Sequence, residues 1–177
     1  MVSLRRLSIR HHFLRALLFC GAIGLWACGG DASGPNLTGP LYVRATIGSE
    51  AWQADSNAIF AILANAGGVL TATGTRAGQA GNAQALTFFL TTFHGTGQYA
   101  VGSSGSNVGI LVTEALGSIP PGGYEGKAAS PGTLVITGYD ATSSRVSGRF
   151  SLTLTDSTSG ISLPSTGTFL IQYRLPP

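Results

Sequence analysis

The chain of 177 residues has little of the chemistry on which metal sites and disulfide scaffolds depend. It contains two cysteines and three histidines. Cys20 lies inside an apolar leader segment and Cys28 stands at its end, so the residues that follow offer no cysteine for a disulfide or a zinc cage. His94 is the one histidine beyond them. The composition therefore predicts no disulfide framework, no His/Cys metal site and no cofactor.

Charged side chains are also scarce, at 10% of the sequence. The formal net charge is +3, but four of the ten basic residues precede Cys28, whereas all seven acidic residues follow it. The chain from Cys28 onward thus carries six basic and seven acidic side chains. A nucleic-acid-binding domain needs a basic surface, and the remaining cations are scattered along the sequence. No nucleic-acid partner is expected.

Residues 1–27 have the order of a secretory signal peptide. Four arginines come first, and the uncharged apolar run over residues 16–27 is too short to span a bilayer but suits a signal peptide. The run leads into Leu25-Trp26-Ala27-Cys28, which resembles the lipobox of bacterial lipoproteins. The resemblance implies cleavage before Cys28 and attachment of lipid to Cys28. The alternative is an ordinary signal peptide with an incidental cysteine.

Residues 28–40 are rich in glycine and proline and poor in apolar side chains, which predicts a flexible tether. Residues 41–177 form the predicted folded domain. A signal peptide over residues 1–27, followed by a tether and a folded domain, predicts a protein of the bacterial cell envelope. Its domain would lie outside the cytoplasm and be held at the outer membrane or the periplasmic face by the lipid on Cys28.

Alternation of apolar and polar residues, the period of a β-strand, begins at Leu41. Gly48-Ser49 predicts a two-residue hairpin turn that sets Ala45 opposite Trp52, which makes Trp52 a core residue. About nine short strands and no convincing helix predict an all-β fold. The two candidate architectures are an antiparallel β-sandwich and a meander closing towards a barrel.

The clearest alternation lies in residues 145–155 and 166–175. Apolar residues and glycines on one side of each segment are predicted to face inward. They are Val146, Gly148, Phe150, Leu152, Leu154, Gly167, Phe169, Ile171, Tyr173 and Leu175. The residues between them, including Ser147 and Leu170, are predicted to face outward.

The segment 85–94 (ALTFFLTTFH) is the most informative of the predicted strands, because it carries aromatic residues on both sides. Phe88 is predicted on one side, and Phe89 and Phe93 on the other. Such a strand is either covered on both sides or presents one side to a cavity or a partner. Phe88, Phe89 and Phe93 are therefore the candidate ligand or partner surface.

Residues 117–123 (GSIPPGG) form the longest interruption of the strand pattern, because the two prolines lack the N–H donor that a ladder requires. Loops at the end of a β domain commonly carry function. This loop is therefore a second candidate site, and a plain connection between strands is the alternative.

Four short motifs resemble a loose group of uncharacterised bacterial lipoproteins that have a single all-β extracytoplasmic domain. They are the hairpin around Gly48-Ser49, a Gly-x-Gly-x-Tyr turn at residues 95–99, an Arg-Val-Ser-Gly-x-Phe strand at residues 145–150 and a Gly-x-Phe strand at residues 167–169. The likeness covers most of residues 41–175. It implies the β fold and the envelope location, and it implies no activity.

The sequence favours a binding function over catalysis. Glu114, Glu125 and Asp140 are the carboxylates that could reach His94, but its position at a strand end beside Gly95 predicts a rim residue rather than an acid–base site. The chain also lacks the Gly-x-Ser-x-Gly motif of serine hydrolases. The expected function is a binding or interaction module of unknown specificity on the cell envelope, with an envelope protein as one possible partner. The alternative is a small barrel that carries an apolar small molecule in a cavity lined by Phe88, Leu90, Phe150 and Phe169.

We expect Cys28→Ser to abolish lipid attachment, because the thiol is the predicted attachment atom. In cells grown with labelled palmitate, the unaltered chain should take up label and the variant should not. Cys20→Ser, which removes the other cysteine, should label like the unaltered chain. Equal labelling of Cys28→Ser and the unaltered chain would mean that the leader is an ordinary signal peptide.

Overall fold

A computed structural model describes residues 37–64, 68–78, 82–102, 105–126 and 132–177. The leader, Cys28 and the tether as far as residue 36 lie outside the described residues. All the regular elements of the described part are β-strands, which confirms the all-β class. Within these residues, no helix is long and apolar enough to cross a membrane.

Eleven strands follow one another along the described chain. Their bounds are β1 (Tyr42–Ile47), β2 (Glu50–Gln53), β3 (Ile59–Ala64), β4 (Val69–Ala77), β5 (Ala83–Leu90), β6 (Gly97–Val101), β7 (Ser106–Val112), β8 (Gly122–Gly126), β9 (Gly132–Asp140), β10 (Arg145–Asp156) and β11 (Ser162–Gln172).

Nine of the strands form an antiparallel sheet in the order β2-β1-β11-β10-β8-β7-β5-β4-β3, curled into a half-barrel. β9 pairs with β10 beside β8, and β6 pairs with β9. β3, at one edge of the sheet, contacts the chain that follows β11. Leu63 N donates to Arg174 O at 3.0 Å, and Arg174 N donates to Ala61 O at 2.9 Å. Of the two predicted architectures, the sheet that closes towards a barrel is the one observed.

The N-terminal hairpin has the predicted register. Ala45 pairs with Trp52 across the Gly48-Ser49 turn. Gly48 has a φ of 59°, the left-handed conformation that favours glycine at the first central position of such a turn. Trp52 is 2% exposed and belongs to the hydrophobic core, as the alternation predicts.

Two Gly-x-Phe segments interlock within the core. Gly148 on β10 pairs with Phe169 on β11, and Phe150 on β10 pairs with Gly167 on β11. A Cβ atom at Gly148 would lie 2.5 Å from Cζ of Phe169, and one at Gly167 would meet the Phe150 ring at least as closely. Each ring therefore occupies the space over the glycine of the opposite strand. The ring of Phe88, from β5, lies with its centroid 4.7 Å from that of Phe169 and 5.5 Å from that of Phe150.

Three predicted orientations on β10 and near the end of β11 are wrong. Ser147 is 7% exposed because the pairing of β10 with β9 shifts register after it, with Thr137 as the extra residue on β9. The hydroxyls of Ser147 and Thr137 lie 3.1 Å apart. Leu170 is 2% exposed although it lies outside the main core cluster. Leu175 is 68% exposed because β11 ends before it.

We expect Gly167→Ala to lower the free energy of unfolding by about 2 kcal/mol, since the new methyl group must displace the Phe150 ring and the backbone carbonyl of Arg44. Gly123→Ala is the matched control, because a Cβ atom there meets nothing within 4 Å. Urea denaturation of both variants and the unaltered chain measures the difference. Equal midpoints for the two variants would show that the core does not depend on this contact.

Candidate functional site

The structure separates the three phenylalanines that the sequence groups as a candidate surface. Phe88 is 1% exposed and packs in the interior against two other core phenylalanines. Phe93 is 7% exposed, whereas Phe89 is 42% exposed on the outer side of β5. The prediction that Phe89 and Phe93 share one side is wrong because β5 ends at Leu90, and the turn that follows breaks the alternation.

Phe93 belongs to a cluster of aromatic rings. Its centroid lies 5.3 Å from that of Tyr139 and 6.3 Å from that of Tyr99. The Tyr173 ring stacks on Tyr139 at 6.2 Å. Burial, and then the hydroxyl of Tyr139, raises the pKa of Tyr173 to about 12. The Tyr173 phenol is therefore neutral at physiological pH, and its ring contributes packing to this cluster.

His94 lies exposed at the edge of the same cluster. Its ring stacks on Tyr99 at 4.7 Å, and its backbone N–H donates to the Tyr99 hydroxyl at 3.0 Å. That hydroxyl donates to Gly95 O at 2.8 Å, and burial raises the pKa of Tyr99. Among the described residues, no three His, Cys, Asp or Glu side chains are grouped so as to hold a metal ion. The contacts of His94 fit the predicted role of a rim residue.

The space for which the sequence predicts a possible ligand cavity is occupied by side chains. Phe88, Leu90, Phe150 and Phe169 are all buried at 3% exposure or less. The Phe88 ring packs against the rings of both Phe150 and Phe169, and the glycines opposite those two rings have no room for a methyl group. This part of the interior is therefore a packed core.

Large apolar side chains instead stand on the outer side of β3, β5 and β7. Phe60 is 53% exposed, Phe89 is 42% exposed and Leu111 is 52% exposed. Cross-strand pairing places them among polar uncharged neighbours, because Phe60 pairs with Thr73 and Phe89 with Thr71. We call this surface, centred on Phe60, Phe89 and Leu111, the Phe89 face.

A groove of about 350 Å³ runs across the Phe89 face. It forms because two glycines, Gly109 and Gly123, occupy outward positions between larger side chains. Phe89 and Leu111 line the groove together with Thr87, Asn107 and other residues. Among the described residues that line it, Glu125 is the one that is charged. The groove can accept an apolar group and offers hydroxyl and amide groups beside it.

The loop that follows β7, the second candidate from the sequence, covers the core. Leu116 and Ile119 are 5% and 2% exposed and exchange two backbone hydrogen bonds, of 3.0 and 2.9 Å. The backbone N–H of Ser118 donates to Glu50 Oε1 at 3.1 Å. The loop connects β7 to its neighbour β8, so its apolar residues serve packing.

Asp156 holds the far end of this loop. Its carboxylate accepts hydrogen bonds from Gly123 N at 3.1 Å, from Thr158 N at 3.0 Å and from the backbone and hydroxyl of Ser159 at 2.6 and 2.8 Å. The hydrogen bonds from Ser159 contribute most to lowering the pKa of Asp156. Beside it, burial raises the pKa of Tyr124, whose hydroxyl donates to Pro120 O at 2.9 Å. Asp156 thus ends β10 and holds the turn at residues 157–159.

Comparison with known proteins adds no assignment. No protein-family model, no curated protein and no solved structure matches this chain.

The lowered pKa of Asp156 predicts how its contribution depends on pH. In the unfolded chain the carboxyl titrates near 3.8, so its stabilising effect is complete above that pH and is lost as the pH falls through the lower folded pKa. We expect Asp156→Asn to lower the urea midpoint at about pH 7, and the difference from the unaltered chain to shrink at about pH 3. Glu125→Gln, which removes an exposed carboxylate from the adjacent strand, is the control. A constant difference at both pH values would contradict the assignment.

Proposed function

We propose that this chain is a lipid-anchored protein of the bacterial cell envelope whose β domain binds another envelope protein through the Phe89 face. Cys28, at the end of the lipobox-like segment, supports the anchor. The grouping of Phe60, Phe89 and Leu111 on one side of the sheet carries the binding proposal. Exposed apolar patches on soluble domains commonly mark interaction sites.

The groove indicates what the partner presents. Phe89 and Leu111 favour an apolar side chain, whose burial contributes about 2 kcal/mol. Thr87 and Asn107 can exchange hydrogen bonds with a polypeptide backbone beside it. Because Glu125 is the one charge lining the groove, a strongly charged ligand gains little there. A protein segment with a protruding apolar residue meets these conditions best.

The alternative function, an apolar-ligand carrier, has less support. A carrier needs an internal cavity, and the rings of Phe88, Phe150 and Phe169 fill the region in which that cavity is expected. The proposed function involves no catalysis. The carboxylates of Glu50 and Asp156, which are candidate acids or bases by type, accept hydrogen bonds that hold loops and turns.

Photocrosslinking in living cells tests the binding proposal. A photoreactive amino acid is placed at Phe89 or Leu111, and at Ser157, an exposed turn residue, as the control position. We expect protein adducts from positions 89 and 111 and none from position 157, with the adducts identified by mass spectrometry. Adducts of equal yield at all three positions, or none at positions 89 and 111, would refute the proposal.

Gly123→Gln provides a variant that blocks the groove without disturbing the fold. A Cβ atom at Gly123 meets nothing within 4 Å, so the longer side chain extends into the groove from a position that tolerates it. We expect it to reduce the adduct from position 89 about tenfold, a change that corresponds to about 1.4 kcal/mol. Normal abundance of the variant in cells excludes misfolding as the cause, and an unchanged adduct would place the contact outside the groove.

A further inference from the structure

A second surface of the domain concentrates arginine. On the outer side of β1, β11 and β10, Arg44 and Arg149 each pair with Thr168, one on either side of it. All three are exposed. Because adjacent strands lie about 4.8 Å apart, the Cα atoms of the two arginines are about 10 Å apart. Long guanidinium side chains at that spacing can converge on one group above Thr168.

Hydroxyl groups fill the next row of the same surface. Thr46, Thr166 and Ser151 are in register across the three strands. Together with Arg44 and Arg149 they line a groove of about 460 Å³ that contains no carboxylate. Guanidinium groups and hydroxyls are the donors that bind phosphate oxygens in proteins. We call this surface the arginine face.

The positive charge of the arginine face is not offset by acidic neighbours. In the described part of the chain, no acidic residue is in register with Arg44 or Arg149. Asp55 shares a neighbouring groove with Arg44, but a second arginine, Arg76, lines that groove too. Asp140, which pairs with Arg145, accepts hydrogen bonds within its own turn from Thr142 N at 2.8 Å and from Ser143 Oγ at 2.6 Å.

The entering chain is held by the strand that also carries Arg149. Nη1 of Arg145, on β10, donates to Leu37 O at 2.7 Å and to Gly39 O at 2.9 Å. Arg145 precedes Arg149 by four residues on the strand, a distance of about 13 Å. Leu37 is nine residues from Cys28, and a flexible tether of that length spans about 16 Å. The arginine face thus lies within reach of the membrane to which Cys28 is proposed to be anchored.

We propose that the arginine face binds the phosphate groups of anionic lipid headgroups and so fixes the orientation of the domain on the membrane. This inference rests on the proposed lipid anchor. Two arginines are too few to hold a protein on a membrane by themselves, but the anchor makes the contact intramolecular and raises its effective concentration. The Phe89 face, which lies on other strands of the curled sheet, is then free to meet a partner.

The test uses the processed, lipidated chain reconstituted into vesicles of neutral phosphatidylcholine, with or without about 30% anionic phosphatidylglycerol. The chain beyond Cys28 has no cysteine, so a single new thiol can be labelled with a fluorophore. Thr166→Cys reports on the arginine face and Leu111→Cys reports on the Phe89 face. With a headgroup quencher, we expect quenching at position 166 to exceed that at position 111 by at least about fivefold on anionic vesicles.

Variants and vesicle composition separate the outcomes. Arg44→Gln combined with Arg149→Gln, or neutral vesicles, should abolish the excess quenching at position 166. Arg174→Gln, which removes an exposed arginine that does not line the arginine face, should leave it unchanged. The inference is overturned if quenching is equal at positions 166 and 111, or if the excess at position 166 survives the loss of both arginines. In either case, flotation of the chain with the vesicles still supports the lipid anchor. Failure to float overturns the anchor itself.

Inorganic phosphate distinguishes the lipid headgroup from a soluble anion. If about 10 mM phosphate saturates a change in the fluorescence at position 166 on neutral vesicles, the arginine face binds a free anion and the lipid assignment is wrong. No saturable change on neutral vesicles, together with the response to anionic lipid, supports the headgroup.

Discussion

The interlocked Gly-x-Phe segments of β10 and β11 are the contact on which the rest of the fold depends. These are the two longest strands, of 12 and 11 residues, and β1, β8 and β9 each pair with one of them. A slip of one residue between them would bring side chains against glycine positions that have no room for them and would turn the opposite sides of the strands inward. Two rings and two glycines thus fix the register from which five strands take their positions.

Glycine has opposite consequences on the two sides of the sheet. Inside, Gly148 and Gly167 leave room that the rings of Phe169 and Phe150 occupy, and the result is a solid core. Outside, a Cβ atom at Gly123 would meet nothing within 4 Å, and the space that remains is part of the groove on the Phe89 face. The filled interior directs any binding to the outer surface, where the missing side chains create the available concavity.

The sequence predicts the parts of the fold that depend on local alternation, such as the pairing of Ala45 with Trp52 and most inward positions of β10 and β11. It does not predict the burial of Ser147, because the extra residue that causes it lies on β9. The sequence also does not predict the groove on the Phe89 face. A lone glycine in a sequence suggests a turn, and the strands that flank Gly109, β5 and β8, are known only from the structure. Phe89 is the one member of the predicted surface that the structure leaves exposed.

Scarcity of charge makes the position of each arginine informative. A domain with few cations gains little attraction to a membrane from its net charge, so any effect of Arg44 and Arg149 depends on where they lie relative to the anchor. Arg145 ties the incoming chain to the strand that also carries Arg149. If lipid on Cys28 supplies the attachment, weak contacts close to the point of tethering become sufficient to orient the domain, whereas the same contacts farther from that point would not. Separate surfaces for orientation and for partner binding then require only a few specialised side chains on an otherwise uncharged sheet.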